Sequence, residues 1–322
     1  TRADVLGPDL PRSTPLRDAL DALREAHLRW ADDLAQAFAR LCEQHGFLPA
    51  ENLRQRTLFE RVVRPLALAE GPVALFMVDA LRFEMGAALH EKLAAEGDTR
   101  AELRANLCEL PSVTEIGMNA LAPVAREGRL HPTLTGKGFG GFETGEFRVF
   151  DPETRRKAMA ARVGGDACPK WTLEELIDKS PAGLKRSIGG ARLVVITADE
   201  IDRGGEKDVG LRVFESALRD LYTGWQILRE AGVKRFVFTA DHGFLLLDRS
   251  RAHEIDFGVR GDAQRRYALY PQGVSSANQV SVQLGALDYD GATQHLVFAR
   301  TTALFAQKKR RPSFVHGGNS LQ

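Results

Sequence analysis

Apolar residues near the start of the chain recur at a helical period. Leu16, Leu20, Leu23, Leu28, Trp30, Leu34, Phe38 and Leu41 are set among charges, which predicts one amphipathic helix or a pair between Pro15 and about Cys42. A second helical stretch, about 53–70 and interrupted by Pro65, leads into the apolar run Val73 to Val78, which stops at Asp79. A helix from Phe83 to Ala95 follows, with Met85, Leu89 and Leu93 on its buried face and Glu96-Gly97-Asp98 as its stop. Arg192 to Thr197 reads as a strand, and so does Arg235 to Thr239. Between them lies a helix from about Gly210 to Glu230, striped by Leu211, Phe214, Leu218, Leu221, Trp225 and Leu228. Short continuous apolar runs flanked by helices are the pattern of parallel strands buried on both faces. The predicted fold class is therefore α/β, a doubly wound, mostly parallel sheet. Residues 1–70 are expected to form an N-terminal helical segment and 71–322 the core. Within the core, periodicity weakens and glycine accumulates over 126–190, which predicts an insertion or cap.

Composition narrows the class without choosing a chemistry. A chain of 322 residues that is 43% hydrophobic can bury a large core, and a net charge of +1 gives no global attraction to nucleic acid or membrane. No apolar stretch approaches the roughly 18 residues of a membrane span, and no signal-peptide pattern opens the chain, so a cytoplasmic protein is expected. Cys42, Cys108 and Cys168 are isolated from one another, which predicts neither a disulfide framework nor a CxxC clip.

The chemistry sits where apolar runs stop. Asp79 ends the first strand, Asp199-Glu200-Ile201-Asp202 follow the second, and Asp241-His242-Gly243 follow the third. In open α/β sheets ligands bind beyond the carboxyl ends of the strands, so these acids are expected to converge. Carboxylates and imidazoles ligate Zn²⁺ or Mn²⁺, and a hydroxyl bound to such an ion loses its proton readily. Thr114 is a suitable hydroxyl; the segment that follows it can begin a helix whose first amides favour an anion. The competing reading makes Thr114 or Ser112 a helix cap with Glu115 in the first turn.

Five motifs carry a resemblance. Val78-Asp79-Ala80-Leu81-Arg82-Phe83-Glu84, Leu110-Pro111-Ser112-Val113-Thr114-Glu115-Ile116-Gly117-Met118, Glu200-Ile201-Asp202-Arg203-Gly204-Gly205-Glu206, Thr239-Ala240-Asp241-His242-Gly243-Phe244 and Phe314-Val315-His316-Gly317-Gly318-Asn319-Ser320 resemble, in order, the PglZ domain of the alkaline phosphatase superfamily. The resemblance runs from about Val73 to the last residue. It implies the alkaline phosphatase type of sheet and a place in phage-defence systems of the BREX type, or in some response regulators. It also implies two divalent metal ions. Asp79, Asp241 and His242 would hold one, with Thr114 as the nucleophile bridging to the substrate. Asp202 and His316 would hold the other. Phosphodiesterase-like relatives carry Asp-x-x-Gly-His where this chain has Asp202-Arg203-Gly204-Gly205-Glu206, so Glu206 takes the place of a histidine. Glutamate ligates zinc but adds negative charge and favours harder cations, which opens the metal between Zn²⁺ and Mn²⁺. The departure keeps Asp199 and Glu200 open as rival ligands.

The implied reaction is in-line attack by Thr114 on phosphorus, then hydrolysis of a phosphothreonine. The expected substrate is a phosphodiester, DNA, an oligonucleotide or a nucleotide signal; other defence proteins are the expected partners. The alternative is a non-catalytic scaffold that keeps the phosphatase fold, and a phosphomutase is a third reading without a visible sugar pocket. Arg82 is a candidate phosphate contact, His253 a candidate for the site rim, and Lys308-Lys309-Arg310-Arg311 a candidate guide for a polyanion. His27, His45, His90 and His131 are expected to be packing or surface residues.

Overall fold

Alternate residues of one strand divide the molecule into two layers of core. In the computed structural model, which describes residues 14–135, 138–146, 148–164, 167–207, 212–247, 252–257, 264–274, 276–308 and 312–320, every residue of the first strand is buried. Helix α1 (Thr14–His45) comes first, then strand β1 (Val73–Val78) and helix α2 (Phe83–Ala94). Helix α3 (Thr114–Ala120) and helix α4 (Pro152–Val163) precede strand β2 (Lys170–Thr172). Strand β3 (Leu193–Ala198), helix α5 (Glu200–Glu206), helix α6 (Arg212–Glu230) and strand β4 (Arg235–Ala240) complete the sheet layer. The sheet order is β2-β3-β1-β4, and every pairing is parallel.

Val73, Leu75 and Met77 face one layer, with Phe59, Val63, Ile116, Met118, Ala158 and Met159. Ala74, Phe76 and Val78 face the other, with Leu89, Leu93, Ala217, Leu221, Trp225 and Leu228. A sheet sandwiched in this way explains why its central strands carry no polar alternation. A second, antiparallel sheet made of Tyr267–Tyr270, Gln279–Gln283 and His295–Ala299 extends the first layer through Val280, Val282, Leu296 and Phe298. Among the described residues, no helix is long and apolar enough to cross a membrane.

The elements settle one alternative and differ from expectation in two places. The first amphipathic stretch is one 32-residue helix, α1. Its small buried residues Ala31, Ala35, Ala39 and Cys42 lie against the body while Leu23, Trp30 and Leu41 stay exposed. The stretch 53–70 folds as short turns, Gln55–Thr57 in 3-10 form, Phe59–Val63 in π form and then Arg64–Leu68. Pro65 sits in the first turn of the last piece, where its missing N–H costs nothing. The region 126–190 divides. Pro132–Thr135, Gly138–Glu143 and Arg148–Val149 form a small antiparallel sheet, whereas α4 and β2 belong to the main sheet and its crossover.

Arg56 and Glu109 form a buried ion pair beneath the site. Arg56 Nε donates to Glu109 Oε1 at 2.8 Å, and its other nitrogens reach Glu109 Oε2 and the Leu287, Asp288 and Gly128 carbonyls. Breaking such a pair strands a charge in the interior, so Glu109→Ala is expected to cost about 3–5 kcal/mol in chemical denaturation. A loss under about 1 kcal/mol would contradict the burial.

Candidate metal centre

Strand register places the chemistry. Val78 pairs with Ala198 on one side and with Ala240 on the other, so Asp79, Asp199 and Asp241 stand level at the carboxyl edge of the sheet. Asp79 and Asp241 are buried there and Asp199 is exposed. Asp199 precedes α5 and pairs with Arg203 at 3.6 Å, while Asp202, inside the first turn of α5, is carried back over the site.

Asp79, Asp241 and His242 each offer a ligand atom within 4.8 Å of the others, and so do Asp202, His242 and His316. His242 Nε2 lies 3.4 Å from Asp79 Oδ1 and 3.3 Å from Asp241 Oδ2, and its ring stacks on His316 with centroids 4.3 Å apart. His316 Nε2 is 3.9 Å from Asp202 Oδ1. Thr114 Oγ1 lies 3.0 Å from His242 Nε2 and 3.5 Å from Asp79 Oδ1. Its hydroxyl is not a helix cap: the capping position is Val113, and no side-chain cap bond forms.

Two glycines set these approaches. A Cβ on Gly117 would collide with the Asp241 backbone, so its absence lets the helix bearing Thr114 close onto the end of β4. A Cβ on Gly205 would strike the Phe314 ring, two residues before His316. Phe314–Val315 pairs with Leu245–Leu246, which ties the His316 segment to the strand end that bears Asp241 and His242. Ser112 Oγ donates to the Gly318 carbonyl at 2.8 Å and so joins the Thr114 and His316 segments. Gln55 Nε2 donates to the Ala240 and Asp241 carbonyls, and its Oε1 accepts from Glu109 N. Neither Gln55 nor Ser112 stands out in the sequence as a support, because each acts through backbone groups that only the fold brings near.

The electrostatics call for cations. Burial, then the Asp241 and Asp202 charges, pushes the Asp79 carboxyl up to about 9. Asp202 rises to about 6, mainly through burial, with His242 opposing and Glu206 and Asp241 adding. Burial and then His242 drop His316 to about 3, which leaves its imidazole neutral and able to ligate. Among the described residues, Asp202 Oδ1, Asp241 Oδ2 and His316 Nδ1 are buried without a hydrogen-bond partner. Buried acids with orphaned oxygens beside a neutral imidazole fit divalent cations.

A pH dependence follows. The folded chain holds a proton on Asp79 between roughly pH 4 and pH 9 that the unfolded chain releases. Stability without added metal is therefore expected to fall as pH rises through that window. A divalent cation bound there would displace the proton, so any rise in Tm caused by added Zn²⁺ or Mn²⁺ should be larger at pH 8 than at pH 6. An equal rise at both, measured by differential scanning fluorimetry, would contradict this charge balance.

Other candidates lie elsewhere. Glu206, one turn beyond Asp202, is exposed and stands outside both ligand groups. Glu200 is half-buried and belongs to neither. Arg82 pairs with Glu84 at 2.5 Å, donates to the Phe244 carbonyl and lies over the Phe244 ring. His253 faces Asp32 of α1 at 3.7 Å, and His131 faces Asp290 at 3.3 Å. Of the basic run, Lys308 is exposed and 309–311 lie outside the described residues. The three cysteines are free.

Comparison with known proteins adds a family and two relatives. Residues 58–322 match the family model described as the BREX system PglZ alkaline phosphatase-like domain. The alkaline phosphatase-like protein PglZ of Bacillus cereus (strain H3081.97) is 23% identical over 310 residues, covering 93% of this chain and 34% of that protein. The alkaline phosphatase-like protein BrxZ of Escherichia coli O9:H4 (strain HS) is 29% identical over 204 residues, 60% of this chain and 22% of that protein. The chain thus spans about a third or less of the length of these curated relatives. Among solved structures, an inactive form of murine ectonucleotide pyrophosphatase/phosphodiesterase 5 in complex with AMP is similar with a TM-score of 0.46 and 12% identity, covering 77% of this chain and 84% of that one.

Proposed function

Since this chain belongs to the PglZ family of BREX-system alkaline phosphatase-like domains, we propose that its site is that of a two-metal phosphoesterase. The proposed substrate is a phosphodiester, in DNA, an oligonucleotide or a nucleotide. The observation that carries the reading is the hydroxyl of Thr114, 3.0 Å from His242 and 3.5 Å from Asp79, at the meeting point of two ligand groups. Asp79, Asp241, His242 and Thr114 would hold one divalent ion. Asp202 and His316 would hold the other, with His242 shared between the two groups, while Glu206, exposed and one helical turn away, stands outside both. Zn²⁺ suits the imidazoles and Mn²⁺ the carboxylates. Such ions would supply a lowered pKa for the Thr114 hydroxyl and charge neutralisation for the phosphoryl oxygens.

The chain's own residues do the rest. His242 Nδ1 lies 2.9 Å from the Gly243 carbonyl, an acceptor, so Nδ1 carries the hydrogen and Nε2 keeps its lone pair toward Thr114. Gly117 holds the nucleophile's helix against Asp241. Thr114 Oγ1, its proton lost, attacks phosphorus in line, the bond to the leaving alkoxide breaks and that oxygen takes up a proton, and water then hydrolyses the threonine ester to free a phosphomonoester. Other BREX proteins are the proposed partners. The test is hydrolysis of bis(p-nitrophenyl) phosphate and p-nitrophenyl phosphate with and without Zn²⁺ or Mn²⁺. Metal-stimulated turnover with the diester preferred supports the reading; turnover absent under every metal, with partner proteins still bound, would favour a scaffold instead.

A further inference from the structure

Helix α4 brings a cation within electrostatic reach of the acids. Val163, its last residue, accepts a hydrogen bond through its carbonyl from Arg192, the residue before β3, so α4 ends at the amino edge of the sheet. The helix therefore runs against the strands. Arg155, eight residues back and about 12 Å along the axis, lies toward the carboxyl edge, where the ligand groups are. Arg155 Nη1 donates at 2.9 Å to Asn119 Oδ1, on the helix that Thr114 begins. Asn119 is fully buried and gives its own nitrogen to the Glu115 carbonyl, which fixes its oxygen toward the guanidinium.

Arg155 is half-buried, and among the described residues its guanidinium bonds the Asn119 amide and forms no ion pair with a carboxylate. Burial pulls Arg155 below the ordinary arginine range, and the charges that oppose this are those of Asp241, Asp151 and Asp79. A desolvated guanidinium bonded only to a neutral amide is costly to keep, and its remaining N–H donors match the fork of a phosphate. Charge balance points the same way. Three carboxylates and a Thr114 alkoxide cancel two divalent ions, so a bound phosphodiester brings a negative charge that the ligand set leaves unanswered.

We propose that Arg155 is the substrate's phosphate ligand, a guanidinium supplied by the crossover helix that binds the non-bridging oxygens of the phosphate attacked by Thr114. The assignment deepens the phosphoesterase reading and rests on it for the identity of the substrate, but not for the binding of an anion. It also makes the crossover before β2 part of the site.

The test measures orthophosphate binding by calorimetry on zinc-loaded wild type, Arg155→Met, Arg155→Lys and Asn119→Ala. Zinc content and Tm are followed in each. Arg155→Met is expected to weaken orthophosphate at least tenfold and to lower kcat/KM for the diester about 10²-fold, with zinc content unchanged. Arg155→Lys, which keeps the charge and loses the fork, should recover part of the loss and serves if the methionine variant is unstable. Asn119→Ala leaves the guanidinium charge in place and should lose less than tenfold. Wild-type orthophosphate affinity in Arg155→Met overturns the assignment. So does an equal loss in Arg155→Met and Asn119→Ala, which would make the contact purely structural, and so does failure of the zinc-loaded wild type to bind orthophosphate. Wild type that binds orthophosphate through Arg155 yet hydrolyses no ester would sink the hydrolase reading while retaining Arg155 as an anion ligand.

Discussion

Thr114→Ala is expected to lower metal-stimulated phosphodiester turnover by about 10⁴-fold while leaving zinc content within a factor of two and the fold intact. The hydroxyl is half-buried and its polar neighbours are His242 Nε2 and Asp79 Oδ1, so its loss removes the nucleophile without opening the core. Helix α3 loses no cap, because Val113 holds that position. Thr114→Ser should retain a substantial fraction of the rate, since the oxygen survives and only the methyl group is lost. Turnover of Thr114→Ala within tenfold of wild type would remove the threonine from the reaction and return the site to a scaffold.

Asp241→Asn is expected to act in two opposite directions. Oδ1 accepts from the backbone N–H of Ala80 at 3.0 Å and of His242 at 2.8 Å, and an amide oxygen can keep both bonds. Ala80 sits at φ 60°, a left-handed conformation that favours glycine, so the Asp241 bond helps hold the turn after Asp79. Oδ2, buried and without a hydrogen-bond partner among the described residues, becomes an NH₂ that cannot ligate a cation. The variant should bind about one zinc fewer per chain and lose about 10³-fold in turnover, as expected when transition-state charge stabilisation is removed. Without metal, however, it should melt higher than wild type at pH 8, because the neighbour that helps push Asp79 up to about 9 has lost its charge. Full metal content with full activity would remove Asp241 from the ligand set; an unchanged metal-free Tm at pH 8 would mean that the acids do not repel one another.

The parts of the fold that the sequence displays are those buried on both faces. β1 and β3 show as uninterrupted apolar runs because helices cover the sheet on each side, while β4, an edge strand that is mostly half-buried, shows only the shorter run Phe236-Val237-Phe238. β2, Lys170-Trp171-Thr172, does not, since a three-residue edge strand that is only partly buried needs no such run. The turns from Gln55 to Leu68 share apolar spacings with an α-helix over so few residues that 3-10, π and α forms cannot be separated by period. Asp79, Asp241 and His242 are visible as groups that follow a strand, and parallel register then makes them neighbours. Asp202 is harder to pick from Asp199 and Glu200, because one turn of α5 decides which acid faces inward. Arg155 gives no signal at all: it reaches the site through the direction of a helix in a region of weak pattern.

The strut made by Gln55 bears on where the unit can be cut. Its amide connects the carbonyls behind Asp241 to the strand-like segment at Glu109, and Arg56 next to it anchors that same segment. The family match begins at residue 58, so a fragment trimmed to that limit would carry every candidate ligand and yet lack both braces. Excision ahead of Glu51 keeps them, because both braces lie upstream of the recognisable motif.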